Sequence, residues 1–210
     1  CNVPVDEWEL DIVASGSQKG YMIPPGLSFV SMSSKAWRAS EDSNLPKFYL
    51  NLKSYKKSLL NNSNPYTPAV NLIFALDESL KMMQDEGLDK IFKRHERHKL
   101  AVSEAAKTLN LKLFADEKCL SPSVTALEIK NIDAEQFRKK IKNKYDILLA
   151  GGQDHLKGKI FRVGHLGYVN DRDIISVIAA IGNTLVEENK ISSTQSGEAL
   201  RVASSMLQIT

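Results

Sequence analysis

The sequence predicts a mixed α/β chain in two parts, and three observations carry that expectation. Near the start, two short apolar runs, 12–14 and 27–32, flank a turn of small residues, Ser15-Gly16-Ser17. The middle of the chain holds two long stretches with apolar residues at helical spacing. From Lys112 onward the order becomes strand, strand, helix, strand, strand, helix, which is the order of a small α+β domain.

In the first part, the run 12–14, the turn, a lysine and the run 27–32 after Pro24-Pro25-Gly26 fit two strands in the middle of a large sheet buried on both faces. Residues 34–40 read as a short helix, 43–46 as a turn, and 49–60 as a helix with lysines on one side. A polar loop, Asn61-Asn62-Ser63-Asn64-Pro65-Tyr66, leads to Thr67-Pro68, a hydroxyl cap followed by proline at the first helical position. Ala69, Leu72, Ile73, Leu76, Leu80 and Met83 then recur at helical spacing, and Gly87 offers a stop.

A second helix, 88–109, carries Lys90, Lys93, Arg94, Glu96, Arg97 and Lys99 on what reads as a solvated face. His95 and His98 lie among these charges and are expected at the surface. In the second part, 111–114, 124–129, 147–150 and 160–163 read as strands. Asp133 caps a helix through Ile141, and Asp171 caps another through about Glu187. Residues 189–196 read as a linker, and 199–207 as a weakly amphipathic last helix that docks on a neighbour or frays.

Bulk properties narrow the function. The 210 residues carry a formal charge of +3, too little to imply a nucleic-acid partner by itself. No apolar run approaches the roughly 20 residues needed to span a bilayer, and no signal peptide opens the chain. Two cysteines, Cys1 and Cys119, make no disulfide framework, so a cytoplasmic setting is expected. They are also too few for a metal–sulfur centre, and no metal-ligand spacing appears. The chain starts at Cys1 rather than Met and reaches a dense motif within twenty residues, which suggests a fragment, a processed product or a split gene.

That motif is Ser15-Gly16-Ser17-Gln18-Lys19-Gly20. Placing a lysine after a buried strand is costly, and small neighbours let a flat group approach the backbone. A lysine in such a pocket can act as a nucleophile toward a carbonyl. A lone lysine in a turn, however, is ordinarily just solvated.

The longer string decides between these. Gly16-Ser17-Gln18-Lys19-Gly20-Tyr21-Met22 followed by Pro24-Pro25-Gly26-Leu27-Ser28-Phe29 resembles the cofactor-lysine segment of class V aminotransferases, fold type I enzymes that use pyridoxal 5′-phosphate (PLP). The subgroup it resembles contains the alanine–glyoxylate and serine–pyruvate aminotransferases. Lys47-Phe48-Tyr49-Leu50-Asn51, Tyr66-Thr67-Pro68-Ala69-Val70 and Phe161-Arg162-Val163-Gly164-His165-Leu166-Gly167 match in order.

The resemblance implies the C-terminal part of a PLP-transferase large domain with a mostly parallel sheet (1–86). A small α+β C-terminal domain (87–188) and a tail helix (189–210) would follow. It implies that Lys19 carries PLP as a Schiff base and moves the substrate proton, and that Gln18 lies beside the cofactor. Thr67, with Tyr66 before it, would bind the cofactor phosphate of a partner subunit in a homodimer. Arg162 would grip the substrate α-carboxylate, with His165 a candidate pocket neighbour and His155 in the loop before the arginine strand. The implied reaction moves an amino group from a small amino acid, alanine or serine, to a 2-oxo acid, glyoxylate or pyruvate.

The family's ring-nitrogen Asp, stacking aromatic residue and phosphate loop would lie upstream of Cys1, so this length alone is expected to be incomplete as a transaminase. The alternatives are a non-catalytic or remnant subunit, or another class V reaction such as phosphonate or phosphoserine transamination or cysteine desulfuration. Cys119 is a poor candidate for the mobile cysteine that desulfuration needs.

Overall fold

The computed structural model describes residues 1–208. The chain divides into two compact units, Asn2–Asp85 and the remainder from Glu86.

In the first unit, β1 (Ile12–Gly16) and β2 (Ser28–Met32) pair antiparallel, with Ala14 opposite Val30 and Gly16 opposite Ser28. Ser33 caps α1 (Ser34–Ala39), accepting from the Ala36 N–H at 3.1 Å. Its hydroxyl donates to Asp11 at 2.6 Å, which ties the helix to the start of β1. Asn51 caps α2 (Leu52–Leu59). The helix α3 is Val70–Glu86.

Two expectations change here. Every strand pair among the described residues is antiparallel, so the mostly parallel sheet is not represented in them. Neither β1 nor β2 is buried on both faces: Ile12, Ala14 and Val30 are exposed. Among the described residues the two strands form a two-stranded ribbon, and the face that carries Ile12, Ala14 and Val30 has no layer packed over it.

The second unit begins with α4 (Leu88–Thr108). A four-stranded antiparallel sheet follows, in the order β3 (Lys112–Leu113), β4 (Val124–Glu128), β6 (Ile160–Gly164), β5 (Ala150–Gly151). The helices α5 (Ala134–Tyr145), α6 (Asp171–Glu187) and α7 (Ser193–Leu207) complete it.

Leu127, Phe161 and Val163 bring one face of the sheet into a core shared with Phe137, Ile141, Ile174, Ile178, Ile181 and Leu185. The rings of Phe137 and Phe161 stand 5.3 Å apart, a contact worth about 1 kcal/mol beyond area burial. Asp133 caps α5 as expected, its Oδ1 accepting from the Gln136 N–H at 2.9 Å. Asn170, not Asp171, caps α6, through a reciprocal box with Asp173.

The last helix begins at Ser193, earlier than expected. Instead of fraying it buries Ala199, Ala203 and Leu207 in this core. Its small residues allow close approach to α4 and α6, which a reading of mean amphipathicity understates.

Candidate active site

Lys19 sits in the turn between β1 and β2, and Ser17 builds that turn. Ser17 is fully buried. Its hydroxyl donates to the Pro24 carbonyl at 2.8 Å and accepts from the Leu27 N–H at 3.1 Å, while its own N–H donates to the Leu27 carbonyl at 3.0 Å. One side chain therefore closes a ten-residue excursion. The buried Ser79 on α3 adds a brace by donating to the Tyr21 carbonyl, and Tyr21 packs on Phe29 at 4.6 Å.

The Lys19 side chain is exposed, which corrects the expectation of a lysine behind a buried strand. Among the described residues its ammonium has no hydrogen-bond or ion-pair partner, so the amine is uncommitted. Gln18 is exposed and folds back toward Gly16.

Thr67 is exposed and lies outside α3. The Val70 N–H donates to the Pro68 carbonyl at 3.0 Å in a tight turn, so the first full helical bond runs from Ile73 to Ala69 at 3.1 Å. The helix thus starts later than the Thr67-Pro68 signal indicated, and the hydroxyl is left free of capping. Tyr66 is half-buried, and its hydroxyl donates to the Phe48 carbonyl at 2.9 Å. Its ring packs on Tyr49 at 4.7 Å, Phe48 at 5.6 Å and Tyr55 at 6.0 Å. This aromatic cluster was not expected. Its members come from the segment before α2, from α2 itself (Tyr55) and from the loop after it, so no local spacing marks it.

In the second unit, Arg162 lies on β6 opposite Ala126 and Ala150. Alternation along the strand sends it to the face away from buried Phe161 and Val163, and the two alanines leave the space beside it open. Its Nε donates to the Gly151 carbonyl at 2.9 Å. No carboxylate pairs with its terminal nitrogens among the described residues.

His165 is fully buried. Its Nδ1 donates to the Pro122 carbonyl at 3.0 Å, which leaves Nε2 to accept from the Thr125 hydroxyl at 2.9 Å. Burial pushes its pKa down to about 4. His155 is exposed in a 3₁₀ turn.

The charged face of α4 needs the largest correction. His95 and His98 are buried, and burial lowers both of their pKa values. His95 Nδ1 donates to the Ile91 carbonyl at 2.8 Å, and its Nε2 accepts from the buried Gly167 N–H at 3.0 Å. Arg94 forks onto Glu86 at 2.6 and 2.9 Å and donates to the Gly167 and Val169 carbonyls, both at 2.9 Å. Gly167 is thus held at both its N–H and its carbonyl. Its φ of +82° suits a residue without a side chain.

Arg97 and His98 both reach Asp171, at 2.8 Å each. Burial alone would raise the Asp171 pKa, but these two partners hold it below the ordinary value. The overlooked signal was that His95 and His98 continue the stripe Ile91, Val102, Ala105, Leu109 at helical spacing.

The class V aminotransferase family model matches residues 1–168. The chain belongs to that family. It is 55% identical over 206 residues to the protein named soluble hydrogenase 42 kDa subunit of Anabaena cylindrica, covering 97% of this chain and 54% of that one. It is 33% identical over 210 residues to serine–glyoxylate aminotransferase of Methylorubrum extorquens, covering 97% and 52% respectively. The crystal structure of ureidoglycine–glyoxylate aminotransferase from Bacillus subtilis superposes with a TM-score of 0.90 at 29% identity, covering 99% of this chain and 55% of that one. The chain therefore spans about half the length of these relatives. The fold is that of the fold type I PLP-dependent aminotransferases.

The residues present fit a PLP at its lysine end. The Lys19 amine is uncommitted, and nothing lies within 4 Å of where a side chain on neighbouring Gly20 would stand. The Ser15 hydroxyl on β1 is buried without a partner. Among the described residues no group of three or more His, Cys, Asp or Glu gathers as a metal site, and no helix is long and apolar enough to cross a membrane.

Proposed function

We propose that the complete protein is a PLP-dependent transaminase that moves an amino group from a small amino acid, alanine or serine, to a 2-oxo acid, glyoxylate or pyruvate. The observation that carries this is an uncommitted lysine amine at the tip of a turn that a buried serine holds closed. Glyoxylate is the favoured acceptor, because it appears in the names of several relatives.

When bound, PLP supplies an aldehyde for amines and an electron-withdrawing ring. Lys19 supplies the amine that holds the cofactor and, once free, takes and returns the proton at the substrate Cα. Arg162 offers two terminal nitrogens to the α-carboxylate and so fixes which face of Cα is presented. Gln18 stands next to Lys19 and would contact the cofactor. The free Thr67 hydroxyl would bind the phosphate held by a partner subunit in a homodimer. Tyr66, whose hydroxyl is already engaged, would fix the loop that carries Thr67.

In this reading the residues up to about 86 are the distal part of the cofactor-binding domain, and those after it form the small domain. Two free thiols support a reducing, cytoplasmic location. The two cysteines of this chain do not amount to a four-cysteine iron–sulfur ligand set, which weighs against hydrogenase chemistry on its own residues.

The test is visible absorbance after PLP addition to the complete protein, wild type against Lys19→Ala. The wild type should show a lysine-bound cofactor band that borohydride fixes in place, and Lys19→Ala should not. An identical band in both would remove Lys19 from its role.

A further inference from the structure

Because Arg162 spends Nε on the Gly151 carbonyl, its two terminal nitrogens remain as the forked donor pair that matches a carboxylate. The direction of that fork depends on where Gly151 stands. Yet Gly151 belongs to β5, which is two residues long, lies at the sheet edge and pairs with β6 alone. Short edge strands are held weakly by their ladder alone.

The support comes from α5, on the other side of the sheet. Arg138 Nε donates to the Leu149 carbonyl at 2.7 Å, and Arg138 Nη1 donates to Glu135 Oε2 at 2.6 Å. A Cβ on Gly151 would overlap Glu135 Oε1 and Arg138 Nη1, so the ion pair sits directly beneath the missing side chain. The register agrees: Gly151 is opposite Phe161, which faces the helices, whereas Arg162 faces away. Glu135 Oε1 is buried with no partner, which leaves Arg138 as the cation that holds this carboxylate. An ion pair on one face of the sheet thus sets a backbone carbonyl that orients a guanidinium on the other.

We propose that Arg138 and Glu135, acting through residues 149–151, are positioning residues that aim Arg162 at the substrate carboxylate. The proposal rests on the carboxylate-clamp reading of Arg162 given above.

In the complete, PLP-loaded protein, Arg138→Met should raise KM for the amino donor and weaken inhibition by propionate. Each change should be about fivefold to tenfold, the size of one lost hydrogen bond. PLP content and kcat at saturation should stay within about twofold, because the lost interaction serves ground state and transition state alike. Gly151→Ala should act in the same direction while leaving Arg138 in place, and Arg138→Lys should rescue only in part, since lysine cannot hold two acceptors in one plane. In ¹⁵N NMR spectra the Arg162 Nε–H should be protected from exchange in the wild type and lose that protection in Arg138→Met.

Arg162→Ala is measured alongside. If it leaves KM and propionate inhibition unchanged, the clamp reading fails and this proposal falls with it. If Arg162→Ala shifts both while folded Arg138→Met and Gly151→Ala shift neither, the positioning role alone is overturned. A change only in melting temperature would likewise reduce Arg138 to a structural role and overturn the proposal.

Discussion

Burial fixes the charge state of His165. Its ring is closed in by the Pro122 carbonyl on one nitrogen and the Thr125 hydroxyl on the other, and its pKa falls from the ordinary 6.5 to about 4. The folded chain therefore keeps this ring neutral at pH values where the unfolded chain protonates it. The resulting stability is fully present above about pH 6.5 and is lost as pH falls toward about 4. The loss amounts to a few kcal/mol, and His95 and His98 are shifted in the same direction. Urea unfolding midpoints at pH 7 and pH 5 should show this loss, and His165→Phe should flatten the dependence. Equal midpoints for the wild type at both values would contradict the assignment.

At the same scale, the lysine motif was legible because a string of small residues, Lys19 and prolines is specific. His165 was legible only as an ambiguity. An isolated histidine in a sequence does not declare its acceptors, and here they come from residues some forty positions away.

At the scale of elements, α4 organises the second unit. Its Arg94 joins Glu86 to the turn after β6, and only 16% of that side chain is exposed. Arg94→Met should leave Glu86 without its cation and two carbonyls without a donor. The expected loss is about 2–3 kcal/mol, with faster hydrogen exchange at Gly167. Arg94→Lys should recover little of it, because a single ammonium cannot serve both the carboxylate fork and the two carbonyls. A loss below about 0.5 kcal/mol would show that the network is ornamental.

Sequence patterning indicated that α4 exists and where it ends. It misread the face, because six charged residues outweigh two histidines in any count of polarity. The start of α5 was read correctly from Asp133, since a cap is local chemistry. The start of α3 was misplaced because the carbonyl of Pro68 is taken by its own turn.

At the scale of the molecule, the two units differ in how completely they bury their apolar residues. The second holds nearly all of the buried hydrophobic side chains, whereas the first leaves Phe48, Leu50, Leu60 and Phe74 more than 70% exposed. Limited proteolysis of the chain should therefore remove the first unit first and leave a protected fragment beginning near Glu86. A protected fragment from the N-terminal side would contradict that ranking.

The sequence by itself determined the family, the lysine turn, the arginine strand and most helix positions, because these rest on short-range spacing and on ordered motifs. Only the tertiary structure decided which side chains lose their solvent. It placed His95 and His98 inside, put the last helix in the core, left Lys19 uncovered in this length of chain, and set Arg138 beneath Gly151. The reason is that burial and hydrogen-bond partnership depend on residues far apart in the chain, whose meeting no local period records.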